Sequence, residues 1–218
     1  MKEIPMLFNT DMVRAILEGR KTQTRRIIKD IPESTHRTEF DGKMLEAFYG
    51  FHTGSAFADG SKYIKPPCQV GDVIWVRETW WKGDLLDDSD NVVERGVVLY
   101  KADIPNIPGW PDWEYKWSPS IHMPRSAARL FLKVKDVRVE KLQDITEEGT
   151  KAEGIVSYWT EPHRDVAPFI GRAKEIGEDL CLTRLEAFSQ LWDSIYKNWN
   201  DNPYVWVIEF ERMNNYGQ

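Results

Sequence analysis

The chain has 218 residues, with 41% hydrophobic and 29% charged side chains and a formal net charge of -6 at neutral pH. That length and balance fit an ordinary globular protein with a real core, built as one large domain or two small ones. The acidic total excludes a surface coated by nucleic acid, which needs clustered Lys and Arg, and no apolar run approaches a membrane span.

The opening, Met1-Lys2-Glu3-Ile4-Pro5-Met6, lacks the apolar centre of a secretion signal. Cys68 and Cys181 have no CxxC neighbour, which speaks against a disulfide scaffold or a zinc cluster. A reducing cytoplasm is the expected location. His36, His52, His122 and His163 show no HxxxH or HxH spacing, so no metal and no other cofactor is expected.

Pro5 to Phe8 reads as a short buried strand. Asn9 or Thr10 can cap a helix over about 10–18, with Met12, Val13, Ile16 and Leu17 recurring at helical period and Gly19 as its stop. The stretch Gly19-Arg20-Lys21-Thr22-Gln23-Thr24-Arg25-Arg26 follows. Five basic residues (Arg20, Lys21, Arg25, Arg26, Lys29) precede the next acid, Asp30. Two readings stand: a solvated basic loop that complements the helix dipole, or a local field that gathers an anionic or electron-rich ligand.

Residues 30–66 carry little periodicity and several loop-type glycines, and are expected to form a large irregular insertion, with Phe48, Tyr49 and Phe51 anchoring it or covering a pocket. Gly71-Asp72 is a turn signal before a strand running from Val73 to Trp81. Alternation sets Glu78 on the face of Ile74 and Val76, as a carboxylate at the rim of the core that needs partners. An acidic turn over 84–94 and a strand over 92–101 come next. A rigid loop rich in Pro and Trp spans 103–117, and His122 lies stiffly between Pro119 and Pro124. The ten tryptophans are core anchors or platforms for bases.

Residues 128–142 alternate as a strand whose phase slips near Lys135-Asp136, the mark of a bulge. A helix opens at Asp144 to Thr146 and stops at Gly154. Residues 156–180 form a second insertion. Thr183-Arg184-Leu185-Glu186 is a capping box for a helix with Leu185, Phe188, Leu191, Trp192 and Ile195 on one face. Residues 204–210 make the last strand. The fold class expected is α+β, one domain over 1–218: a curved sheet or small β-barrel with flanking helices and insertions at about 30–66 and 156–180.

The segment Ile16-Leu17-Glu18-Gly19-Arg20-Lys21-Thr22-Gln23-Thr24-Arg25 resembles the opening signature of the ASCH domain, a PUA-like β-barrel. Gly71 to Val76 resembles its second signature, Leu142 to Gly154 the helix into its third, and Tyr204 to Phe210 its closing strand. Trp117 to Arg125, with Arg77-Glu78-Thr79-Trp80, is similar to a longer phage and prophage branch. The resemblance implies RNA-related roles and a ligand that is a nucleoside or single-stranded RNA, with no membrane partner.

One bacterial branch hydrolyses the amide of N4-acetylcytidine with a lysine, a threonine and a glutamate. By resemblance these fall on Lys21, Thr24 and Glu153; the chemistry of the residue types makes Lys21 the base, Thr24 the nucleophile and Glu153 the acid or orienter. An amidohydrolase reading sets Arg25, Arg26, Glu78, Trp80, His122 and Arg125 around the substrate. That branch is about half this length and lacks the Trp117 to Arg125 segment. Three alternatives to an amidohydrolase stay open: a non-catalytic RNA-binding or modified-base reader, a ribonuclease of phage origin, and a phage protein that binds a host protein. For Lys21 and Thr24 to share a site, the chain must turn at Lys21-Thr22, since residues 21 and 24 of a regular strand face opposite ways.

Overall fold

The computed structural model of the chain describes residues 1–29, 65–86, 89, 91–104, 116–156, 183–214 and 216. Most of both expected insertions, and with them Phe48, Tyr49, Phe51 and Cys181, lie outside these residues, as do Trp110 and Trp113.

Among the described residues, seven strands and three α-helices form the framework. They are β1 (Glu3–Leu7), α1 (Thr10–Leu17), β2 (Gln23–Ile27), β3 (Val73–Arg77), β4 (Trp80–Leu86), β5 (Val92–Tyr100), β6 (Phe131–Lys141), α2 (Glu147–Ala152), α3 (Arg184–Ile195) and β7 (Tyr204–Arg212). Five strands form one mixed sheet in the order β1-β3-β6-β7-β2, and β4 and β5 form a separate antiparallel ribbon. β1 runs parallel to β3, and every other pair in the sheet is antiparallel.

β1 and β2 are the edges, and among the described residues no ladder joins them. They nevertheless approach each other: Arg26 of β2 donates to Leu7 O of β1 at 2.7 Å and lies 5.1 Å from the centre of the Phe8 ring. The sheet therefore bends back on itself, with a side chain spanning the gap between its edges. Pro5 sits on edge strand β1, where its missing N–H leaves the β3 ladder intact.

One face of the sheet buries the main core, including Phe8, Val13, Ile16, Ile74, Val76, Leu132, Val134, Ile208 and Phe210. Residues directly opposite in a ladder share a face. Thr24 opposes Ile208 and so faces this core, while Arg25 opposes Val207 and faces the other side. There a second cluster forms, in which Phe188 and Trp192 of α3 pack on Val205 and Val207 of β7. Leu185 and Ile195, at the two ends of the apolar face of α3, stay 41% and 47% exposed, so only its middle is core.

The expected bulge is present: the β6–β7 register shifts between Val134 and Asp136. The caps also follow from the residues. Asn9 accepts from Met12 N, Thr146 accepts from Gly149 N, and Thr183 and Glu186 close the capping box. One expected strand is instead two, since Val73 to Trp81 breaks at Glu78-Thr79 and Trp80 starts the β4–β5 ribbon. The break occurs where Glu78 turns its carboxylate inward to an arginine.

Candidate functional site

The basic stretch does not leave α1 as a solvated loop. Glu18 caps α1, Gly19 takes φ +75°, and the N–H groups of Arg20 and Lys21 both donate to Ala15 O at 2.9 and 3.0 Å. The reversal lies at Gly19, before Lys21, rather than at Lys21-Thr22 where a shared site for Lys21 and Thr24 asks for it. Thr22 N then donates to Ala152 O at 2.9 Å, and Lys21 pairs as a single bridge with Glu153 at the end of α2. Phe210 N donates to Thr22 O, and β2 begins.

The two chain ends meet tightly. Gly154 has φ +89°, and a Cβ there would lie 2.9 Å from Ala15 Cβ and 3.0 Å from Lys21 Cβ. Only glycine suits both that backbone and that approach.

Three ionic side chains are buried together. Lys21 Nζ donates to Glu153 Oε2 at 2.6 Å and to Glu153 O at 3.0 Å. Arg25 Nη1 donates to the other carboxylate oxygen, Oε1, at 3.1 Å. The side chains of all three are at most 4% exposed. One anion thus serves two cations out of water, where charge interactions are strongest.

The network continues across the sheet. Arg25 Nη2 donates to Glu140 Oε2 at 2.9 Å, and Arg138 donates to Glu140 Oε1 at 2.7 Å, to Asp136 at 3.0 Å and to Glu209. Burial pushes the Lys21 ammonium below its usual pKa; Glu153 opposes the shift, and Arg26 and Arg25 add to it. Gln23 Nε2 and Arg25 Nε are buried donors with no hydrogen-bond partner among the described residues. Two donors left this way on one strand are costly unless something accepts from them.

A cleft lies beside this cluster. It is lined by Thr24, Arg25, Arg26 and Glu153, by Met12 of α1, and by Phe188, Leu191, Trp192, Ile195 and Tyr196 at α3. Three consecutive strand residues can line one cleft only if it runs along the edge of the strand. The ladder agrees. Phe210 N bonds Thr22 O and Ile28 N bonds Tyr204 O, so the even-numbered residues of β2 spend their backbone groups on β7. Those of Gln23, Arg25 and Ile27 turn to the free edge. The enclosed space is about 10 Å³, close to a single water site. Thr24 is 1% exposed, and among the described residues no hydrogen bond joins its hydroxyl to Lys21 Nζ.

Of the residues expected around a substrate, Arg25 and Arg26 line this cleft, whereas Glu78, Trp80, His122 and Arg125 do not. They lie around β3, the start of β4 and the segment before β6. Glu78, 1% exposed, accepts two bonds of 3.0 Å from Arg129 Nε and Nη2, and Arg129 Nη1 donates to Asp103 at 2.6 Å. The Arg129 guanidinium lies 3.9 Å from the centre of the Tyr100 ring. Burial raises the Glu78 carboxyl above its ordinary pKa, and Arg129 opposes that.

Trp80 bridges Ser118, and its indole N–H is buried without a partner among the described residues. His122 is exposed in a 3-10 turn that Arg77 ties down by donating to Met123 O and Ile121 O. Arg125 holds Glu3 through bonds of 2.7 and 3.0 Å at the surface. The reason for the separation is their partners: Glu78 is held by Arg129 and Arg125 by Glu3, around the β1-β3-β6 part of the sheet, whereas the cleft lies between β2 and α3.

Sequence reasoning missed the partners Glu140 and Arg138 and the aromatic wall. Helical spacing shows that Phe188 and Trp192 face inward, but not which strand they meet. Among the described residues no group of His, Cys, Asp and Glu is placed to hold a metal ion. No described helix is long and apolar enough to cross a membrane. Comparison of the chain with protein-family models, with curated proteins and with solved structures finds no match.

Proposed function

We propose that the chain is a nucleoside- or RNA-directed protein of the ASCH type with a PUA-like fold, and that the cleft at the edge of β2 hydrolyses the amide of an N-acylated cytidine-type base. The observation that carries this reading is the convergence of Lys21 and Arg25 on the buried carboxylate of Glu153, which together with Thr24 and aromatic side chains of α3 lines a cleft.

A threonine hydroxyl needs a base, and a desolvated lysine near other cations supplies one. Because Thr24 faces the main core, Lys21 as neutral amine has to leave Glu153 and reach round the edge of β2 to take the Thr24 proton while the oxygen attacks the acyl carbon. The Arg25 main-chain N–H, turned to the free edge, donates to the carbonyl oxygen as it becomes negative. The C–N bond then breaks and the base leaves as its free amine with the proton held by Lys21. Water cleaves the acyl-threonine, releasing a carboxylic acid and restoring the hydroxyl. Glu153, engaged by two cations, orients the amine. The aromatic wall of α3 flanks the base, and it must swing outward to admit one, since the cleft as it stands holds about one water.

The RNA-reader and ribonuclease alternatives draw on the same cations. Arg25, Arg26 and Arg125 are each already held by a protein acceptor, which leaves less for phosphate. The test is release of acetate from N4-acetylcytidine by the purified protein, against Lys21→Ala and Thr24→Val. Turnover by the wild type alone supports the reading; equal background in all three removes it.

A further inference from the structure

The role of Arg25 follows from how the Glu153 carboxylate is shared. Its two oxygens have different owners: Lys21 Nζ takes Oε2 at 2.6 Å, and Arg25 Nη1 takes Oε1 at 3.1 Å. Arg25 is itself fixed from behind, since Glu140 accepts from its Nη2 at 2.9 Å and Arg138 holds the second Glu140 oxygen at 2.7 Å. Gly149 of α2 lies close by: a Cβ there would sit 3.4 Å from Arg25 Nη2, an ordinary contact distance. The guanidinium lies 6.0 Å from the centre of the Phe188 ring, so α3 closes over it as well. A plain buried ion pair needs one cation per carboxylate. Here a second cation, anchored across two further strands, is spent on the same group.

We propose that Arg25 is a positioning residue: by holding Glu153 Oε1 it divides the carboxylate between two cations and leaves Lys21 only part of it, so that the amine can give up its proton inside the site. A lysine alone with Glu153 would be locked as the ammonium of a buried pair. The charged groups facing Lys21 are Glu153 from the end of α2 and Arg25 and Arg26 from β2. Arg20, next in the chain, is turned to Glu18 and Gly154 O. Glu140, Arg138, Asp136 and Glu209 act one step further back, through Arg25.

The use of Lys21 as a base rests on the hydrolase reading, but the division of the carboxylate does not, and the experiment separates them. The titration of Lys21 is followed by NMR on protein labelled at lysine Cε, with Lys21→Arg to assign the signal. Arg25→Gln is expected to raise the Lys21 midpoint by about one pH unit or more, through loss of a cation and release of the whole carboxylate. Arg25→Lys, whose single ammonium cannot span Glu153 and Glu140 as the fork does, is expected to give a smaller rise. If Arg25→Gln does not fold, the rise in Arg25→Lys decides. A midpoint unchanged or lowered in the folded variants overturns the proposal. A raised midpoint in a protein that never releases acetate upholds the role of Arg25 and removes the hydrolase reading.

Discussion

Two buried carboxylates, Glu153 and Glu78, are paired in opposite ways. Glu153 is one anion shared by two cations, Lys21 and Arg25, whereas Arg129 is one cation shared by two anions, Glu78 and Asp103. The second arrangement is saturated and ties together three pieces of chain: the end of β3, the turn at 101–103 and the lead into β6. The first spreads its charges over a wider network, in which Arg25 also holds Glu140, and it lies beside a cleft with a donor, Arg25 Nε, left without a partner among the described residues. Burial of charge alone does not mark a site; a buried charge network with a spare donor at an opening does.

The largest expected effect breaks the saturated region. Arg129→Met leaves Glu78 buried and unpaired, which costs about 3–5 kcal/mol. In a chain of this size that lowers Tm by roughly 10 °C, and thermal unfolding measures it. A change below about 2 °C would show that Glu78 finds water or another donor, and would bring it back as a candidate for chemistry.

Glu153→Gln comes next and separates stability from activity. The carboxamide still accepts from one cation but is no longer an anion shared by two. Acetate release is expected to fall about 100-fold or more, with a smaller loss of Tm than in Arg129→Met, as seen by calorimetry and assay on one preparation. A third variant touches only backbone. Gly154→Ala places a methyl against Ala15 and Lys21 at a positive φ, and is expected to cost about 1–3 kcal/mol and to slow turnover by moving Glu153.

The smallest effect is at the surface. Arg125 and Glu3 are each 37% exposed, and Arg125→Ala should cost about 0–1 kcal/mol. Its Tm within about 2 °C of wild type would confirm that this pair is solvated.

Local signals foretold the elements well where their cause was local. The Thr183 capping box, the Gly19 and Gly154 stops and the slip at Lys135-Asp136 each rest on a few adjacent residues. β2 was not legible, because Gln23-Thr24-Arg25-Arg26 has no apolar alternation; its side chains are buried by ion pairs rather than by hydrophobic contact. The resemblance to the ASCH signature set Lys21, Thr24 and Glu153 together, and the structure brings Lys21 and Glu153 into contact. The amidohydrolase reading also grouped Glu78, Trp80, His122 and Arg125 with them. Those residues are separated because strand order is decided by long-range pairing, on which motif spacing is silent.

The central claim is that the cleft at Thr24, not the Glu78 region, carries the chemistry. Its most direct test is mass spectrometry of protein quenched during reaction with N4-acetylcytidine. An acetyl group on the peptide containing Thr24, absent in Thr24→Val and accumulating in a variant slowed at the water step, is the predicted result. Acetate release that continues in Thr24→Val with no adduct on that peptide would contradict it.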